Sequence, residues 1–126
     1  MHLMGQKSRA LVPTLLDLTY VENTGAAFGM LSGHPLLLAA ISLIILAAIT
    51  VYTIKKEQKH PLFMLAVALV VGGAVGNLID RVFRGFVVDF LEFSFFDFPV
   101  FNLADCFVVV GVCLLAIQIL FLEKGE

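Results

Sequence analysis

Three long apolar runs dominate the pattern of hydrophobic and polar positions along the 126-residue chain. None of them contains Asp, Glu, Lys or Arg, and they cover residues 35–54, 61–79 and 106–122. At about 1.5 Å per helical residue, the first two can cross a hydrocarbon core of roughly 30 Å, and the third can do so once its polar start at 102–105 is added. We therefore predict an all-α polytopic membrane protein with three transmembrane helices, spanning 35–54, 61–79 and 103–122, and a small extracytoplasmic β/loop platform.

The polar segments between these runs predict how the helices are connected. Residues 1–34 are expected outside the membrane, with a short strand at 17–23 followed by a turn. The connection KKEQKH, residues 55–60, is short enough to make its flanking helices antiparallel neighbours. Residues 82–101 mix aromatic and acidic side chains, which favours an interfacial loop or platform along the lipid headgroups. We find no repeat or linker, so residues 1–126 are predicted to form one domain.

Composition excludes several classes of protein. A chain that is 60% hydrophobic, with a mean hydropathy of +1.02, is not an ordinary soluble domain. Its net charge of -2 argues against a nucleic-acid partner. His2, His34 and His60 fall in separate polar segments, and there is no HExxH string or Cys/His cluster, so neither a metal nor another cofactor is expected.

The end of the second run combines small and polar residues. Gly72 and Gly76 have GxxxG spacing, and with Gly73 they predict a close approach of another helix. Just beyond them, Asn77, Asp80 and Arg81 stand at i, i+3 and i+4, which places them on one helix face at the membrane edge.

Two aspartates at the edges of the apolar runs are the strongest candidates for chemistry. Asp89 and Asp105 are 16 residues apart, and a loop that leaves the membrane edge and returns to it would bring them together. Two adjacent carboxyls tend to share one proton, so that one can activate water while the other polarises a carbonyl. The alternative is that each is a solvated carboxylate at a helix end.

Four strings in this order carry a resemblance to a known family. They are NTGAAFG at 23–29, GNLIDR at 76–81, VVDF at 87–90 and FNLAD at 101–105. Together they resemble the lipoprotein signal peptidases, the type II signal peptidases of bacteria. The resemblance implies an aspartyl endopeptidase with Asp89 and Asp105 as its catalytic pair. Its implied partners are prolipoproteins whose signal peptide precedes a diacylglyceryl-modified cysteine.

The same resemblance implies that Asn23, Asn77, Arg81 and Asn102 line the site and hold the substrate or orient the aspartates. On their residue types alone, Arg81 can also anchor a lipid headgroup, and Asn77 and Asn102 can cap helices. Asn102, three residues before Asp105, can both cap a helix and line the site. Asp80 is expected to be a structural partner of Arg81 rather than a third catalytic acid. In the NTGAAFG turn we expect Gly25 and Gly29 to let the chain pack near the site, and we expect Phe28 to belong to the core.

The resemblance also sets the cellular context that we expect. Its members have a further membrane helix before the NTGAAFG region, four in all, and this chain begins about where that helix would end. We expect a monomer in the bacterial inner membrane, in contact with membrane lipids. The dense lysine connection at 55–60 favours a cytoplasmic side, which puts both aspartates at the extracytoplasmic face.

Two other functions use the same residues. A small channel or proton-coupled transporter also places Asp and Arg within the membrane, although its charges are expected near the bilayer centre rather than at one edge. A structural membrane subunit would use the GxxxG face for assembly, and its acids would then have no catalytic role.

Overall fold

The computed structural model describes residues 2–3, 9–25, 31 and 33–123. Within these residues the chain forms three long helices and one small sheet. The helices are α1 (Pro35–Lys55), α2 (Pro61–Arg84) and α3 (Leu103–Ile117), and a π-helical turn (Gln118–Leu122) continues α3. The strands are β1 (His2–Leu3), β2 (Arg9–Val12), β3 (Leu16–Asn23) and β4 (Val87–Phe93).

All three helices are long and apolar enough to cross a membrane, counting α3 together with its π-helical turn. The prediction of a polytopic membrane protein with three transmembrane helices is therefore confirmed, and a small sheet is present beside them, as the predicted β/loop platform requires. The second span was predicted to end at residue 79, whereas α2 continues to Arg84. The helix outlasts the apolar run because its backbone hydrogen bonds do not depend on apolar side chains, and its last turns carry the polar residues of the candidate site.

Local sequence signals fix where α2 begins and ends. Pro61 occupies its first turn, and the Nδ1 atom of His60 accepts a hydrogen bond from the backbone N–H of Leu62. At the other end Gly85 adopts a φ of 81°, a left-handed conformation that stops the helix while its N–H still bonds to the carbonyl of Arg81. The chain thus turns sharply from α2 into β4.

The closest helix contact joins α2 to α3, and glycines make it possible. A Cβ added to Gly73 would meet the carbonyl oxygen of Ala104 and lie 2.7 Å from a methyl of Val108. A Cβ added to Gly111 would lie 2.8 Å from the carbonyl oxygen of Ala66. Gly72 has open space around it, so the expectation of a close approach at Gly72 is wrong. Gly111 was not singled out from the sequence.

The sheet is antiparallel, with β3 in the middle. β1 and β2 pair with one edge of β3, and β4 pairs with the other. The strand predicted at 17–23 is present as β3. The segment at 82–101, expected to be an interfacial loop or platform, contains β4, which pairs with a strand about 70 residues earlier in the chain. The β-branched and aromatic residues of VVDFLEF favour a strand there.

A second contact ties β4 to the start of α3. The N–H groups of Phe90 and Leu91 both donate to the carbonyl of Phe101 at 2.8 Å, and the Phe101 N–H donates back to Leu91 at 2.9 Å. The Phe93 ring lies 5.1 Å from the Phe101 ring, centroid to centroid. These contacts hold the middle of β4 beside the first turn of α3.

The opposite end of α3 carries a separate charged contact. The ammonium of Lys56 forms an ion pair with Glu123 and lies 5.4 Å from the centroid of the Phe63 ring. This pair ties the α1–α2 connection to the end of the π-helical turn. The lysine connection and the first turn of α3 therefore lie at opposite ends of the helical bundle.

The glycine contacts predict a position-specific loss of stability. Gly73→Ala and Gly111→Ala should each destabilise the protein by about 1–3 kcal/mol, because a methyl group there meets backbone that cannot move aside. Gly72→Ala is the matched control one residue from Gly73, and it should leave the melting temperature in detergent unchanged or slightly raised. Equal melting temperatures for all three variants would contradict the close contact between α2 and α3.

Candidate active site

Asp89 is the most deeply buried acid among the residues that the structure describes. It lies in β4 directly opposite Val21 of β3, and its side chain is 2% exposed. Its Oδ2 accepts a hydrogen bond from the Asn23 amide at 3.1 Å, and its Oδ1 accepts one from the Asn102 amide at 3.0 Å. The backbone N–H of Gly25 bonds to Oδ1 of Asn23 at 2.8 Å and so turns the amide nitrogen of Asn23 toward Asp89.

Asp105 is placed by the helix cap at the start of α3. Oδ1 of Asn102 accepts the backbone N–H of Asp105 at 2.8 Å, and Oδ2 of Asp105 accepts the backbone N–H of Asn102 at 3.2 Å. This reciprocal capping box satisfies two backbone donors and fixes the side chains of both residues. The carboxyl of Asp105 is thereby held at the end of the helix that faces the sheet.

The side-chain amides of Asn102 and Asn77 join the two acids into one network. The Asn102 amide nitrogen donates both to Asp89 and, at 3.1 Å, to Oδ1 of Asn77. The Asn77 amide nitrogen in turn donates to Oδ1 of Asp105 at 2.9 Å. Side chains from β3, β4, α2 and α3 therefore converge on the two carboxyls.

Arg81 supplies the positive charge of the site. It lies one turn after Asn77 on α2, close enough to interact electrostatically with both aspartates. Its Nε is buried and has no hydrogen-bond partner among the described residues. Asp80 lies outside the network, with one carboxylate oxygen 3.8 Å from Nε of Arg84. The ion pair that the structure gives Asp80 is with Arg84, and the charge of Asp80 also acts on Arg81, the partner that the sequence suggested.

The environment of Asp89 favours its protonated form. The pKa of Asp89 is raised from its ordinary value of 3.8 to about 6, mainly because the carboxyl is buried and to a lesser degree because of the negative charge of Asp105. The hydrogen bonds from Asn23 and Asn102 and the positive charge of Arg81 lower that pKa and only partly offset the burial. Asp89 therefore binds a proton more readily than a solvated aspartate does.

The structure brings together six of the residues singled out from the sequence, namely Asn23, Asn77, Arg81, Asp89, Asn102 and Asp105. Gly25 orients Asn23, and Gly73 and Gly76 pack against Ala104, next to Asp105. Phe28 and Gly29 lie outside the described residues. Sequence inspection missed Val21, because its place opposite Asp89 follows from strand register rather than from a motif.

Comparison with known proteins assigns the family. The profile of the family described as signal peptidase (SPase) II matches residues 1–121. The chain belongs to the signal peptidase II family. The resemblance seen in the sequence is therefore confirmed. Members of this family are aspartic proteases. A channel or transporter, the alternative considered above, is not supported.

Similar proteins of the signal peptidase II family come from several bacteria. The chain is 48% identical to the lipoprotein signal peptidase of Clostridium acetobutylicum, over 92% of this chain and 77% of that protein. It is 47% identical to that of Symbiobacterium thermophilum, over 90% and 76%. A bacterial membrane enzyme solved by the in meso method at 2.3 Å resolution superposes with a TM-score of 0.84 at 37% identity, covering 95% of this chain and 77% of that one.

Proposed function

We propose that this chain is an intramembrane aspartyl endopeptidase that removes signal peptides from diacylglyceryl-modified prolipoproteins, with Asp89 and Asp105 as its catalytic residues. The observation that carries the proposal is the hydrogen-bonded network that joins the two carboxyls through Asn102 and Asn77. Membership of the signal peptidase II family supports the same chemistry and the prolipoprotein substrate class.

The different surroundings of the two carboxyls give them different roles in the reaction, one as the base and one as the acid. The carboxylate of Asp105, which is only partly buried, takes a proton from a water molecule. The resulting hydroxide attacks the scissile carbonyl carbon while protonated Asp89 gives its proton to the carbonyl oxygen. The tetrahedral intermediate collapses when the C–N bond breaks. Asp105 then protonates the leaving amine and Asp89 recovers its proton, so both acids return to their starting states.

The surrounding polar groups support these roles. Asn23, Asn77 and Asn102 hold the carboxyl planes in fixed orientations, which lowers the cost of aligning them at the moment of reaction. The unpartnered Nε of Arg81 supports a role in binding a substrate carbonyl and in stabilising the negative charge of the transition state. The role proposed for Arg81 is thus to hold the substrate by its positive charge.

The proposed setting is the inner membrane, with the site at the extracytoplasmic face. The lysine connection and the aspartates lie at opposite ends of the helices, so a cytoplasmic lysine connection puts the site on the side where exported proteins emerge. Lipids would surround the apolar faces of the helices. Since one chain supplies every member of the network, we propose that a monomer is active.

Catalysis by the two acids is tested by single and double substitution. Asp89→Asn and Asp105→Asn should each lower the turnover of a lipidated prolipoprotein by about 100-fold or more, because each removes one half of the acid–base pair. The double variant should be no worse than either single variant, since the two acids act as a unit. Asp97→Asn removes an exposed carboxylate of the same region and should cleave like the parent chain. Near-parental turnover of Asp89→Asn or Asp105→Asn would exclude this assignment.

The proposed sidedness is tested by cysteine labelling. In a background with Cys106→Ala and Cys113→Ala, single cysteines are placed at the exposed positions Gln58 and Ser94. An impermeant thiol reagent applied to intact cells should label Ser94→Cys, and should reach Gln58→Cys only after the cells are opened. The reverse pattern would place the aspartates on the cytoplasmic side and exclude the proposed orientation.

A further inference from the structure

One wall of the Asp89 site is apolar and comes from the sheet. Val21 lies directly opposite Asp89 in the β3–β4 register, and Val87 precedes Asp89 by two residues on the same strand face. The two valines are 5% and 2% exposed. Residues directly opposite each other in an antiparallel pair have Cβ atoms about 4.5–5.5 Å apart, so the isopropyl group of Val21 lies against the Asp89 side chain.

We propose that Val21 is a positioning residue for catalysis, which closes the β3 side of Asp89 and keeps water away from that carboxyl. The inference rests on the proposed function, because it names what holds Asp89 in its protonated form. Asn23 and Asn102 provide two polar contacts of Asp89, and Val21 and Val87 fill the sheet side. Opening the apolar wall would let water reach the sheet side of this carboxyl, where a hydrogen bond from water favours the charged form.

Other charged groups act on Asp89 and stay constant in the test. The charge that α3 brings to Asp89 is that of Asp105, which the thiol of Cys106 follows in the chain. The charge that α2 brings is that of Arg81, on which Asp80 also acts. On β3, Glu22 pairs with Val88, and side chains alternate along the strand, so Glu22 points away from Asp89. The substitutions below leave all of these charges in place.

The test compares two changes that make the wall polar or smaller with one that keeps it apolar. Val21→Thr has almost the same shape but brings a hydroxyl to Asp89, and Val21→Ala leaves room for water. Val21→Ile keeps the wall apolar. Val88→Thr is the matched control, because it makes the same chemical change one residue from Asp89 on the opposite strand face.

The first measurement is the difference in melting temperature between a chain with Asp89 and the same chain carrying Asp89→Asn, followed from pH 3 to 8. Because the pKa of Asp89 is about 6 in the folded protein and 3.8 in the unfolded chain, the stability that Asp89 contributes falls as pH rises between these values. In Val21→Thr and Val21→Ala this fall in stability should be smaller, and it should end roughly one pH unit lower than in the parent chain. That shift corresponds to a tenfold loss of proton affinity at Asp89. Val21→Ile and Val88→Thr should follow the parent.

The second measurement is cleavage, and it separates this proposal from the proposed function. The pH above which kcat declines should move down by the same amount in Val21→Thr, with KM little changed, because Val21 acts through Asp89. If the melting curves shift but no variant cleaves, including the parent, Val21 still controls Asp89 and the proposed function fails. If Val21→Thr titrates like Val21→Ile in both measurements, the proposal is wrong.

Discussion

The site depends on the helix cap at Asn102. An Asn at the start of a helix ordinarily satisfies a backbone N–H with its side-chain oxygen, and here that bond goes to Asp105 at 2.8 Å. The same bond leaves the amide nitrogen of Asn102 pointing away from the helix, where it donates to Asp89 and Asn77. One side chain thus begins α3, holds one acid and reaches the other. This explains how two acids on separate elements can keep a fixed relation.

The rest of the fold positions this cap. Gly73 and Gly111 allow α2 and α3 to touch along their length, which brings Asn77 within 2.9 Å of Asp105. The hydrogen bonds between Leu91 and Phe101 hold β4 beside the same helix start, and β3 covers the other side of β4. Burial of Asp89 follows from these contacts. The cost of burying the charged acid is offset in part by two amide donors and by Arg81. The part of that cost that is not offset favours the protonated form of Asp89.

Sequence patterns gave the large features because these follow from composition. Apolar runs long enough to cross a membrane predict spans, and Asp89 and Asp105 stood out because acids are rare at membrane depth. The pairing of β3 with β4 was not predictable from local pattern, since it joins segments about 70 residues apart and depends on the helices between them. Val21 and the role of Gly111 could not be found from the sequence for the same reason, because each depends on a contact between distant segments. The sequence already allowed Asn102 both to cap a helix and to take part in the site, and in the structure its oxygen caps α3 while its nitrogen bonds to Asp89.

We claim that the Asn102 side chain joins the two acids, because its capping oxygen holds Asp105 while its amide nitrogen holds Asp89 and Asn77. Asn102→Ser separates the two functions, because a serine hydroxyl still caps α3 but cannot reach across to Asp89 and Asn77. Turnover of lipidated prolipoprotein and melting temperature are measured together for Asn102→Ser and for Asn102→Ala, which loses both functions. We expect Asn102→Ser to melt well above Asn102→Ala yet cleave as poorly. Parental turnover in Asn102→Ser would contradict the claim.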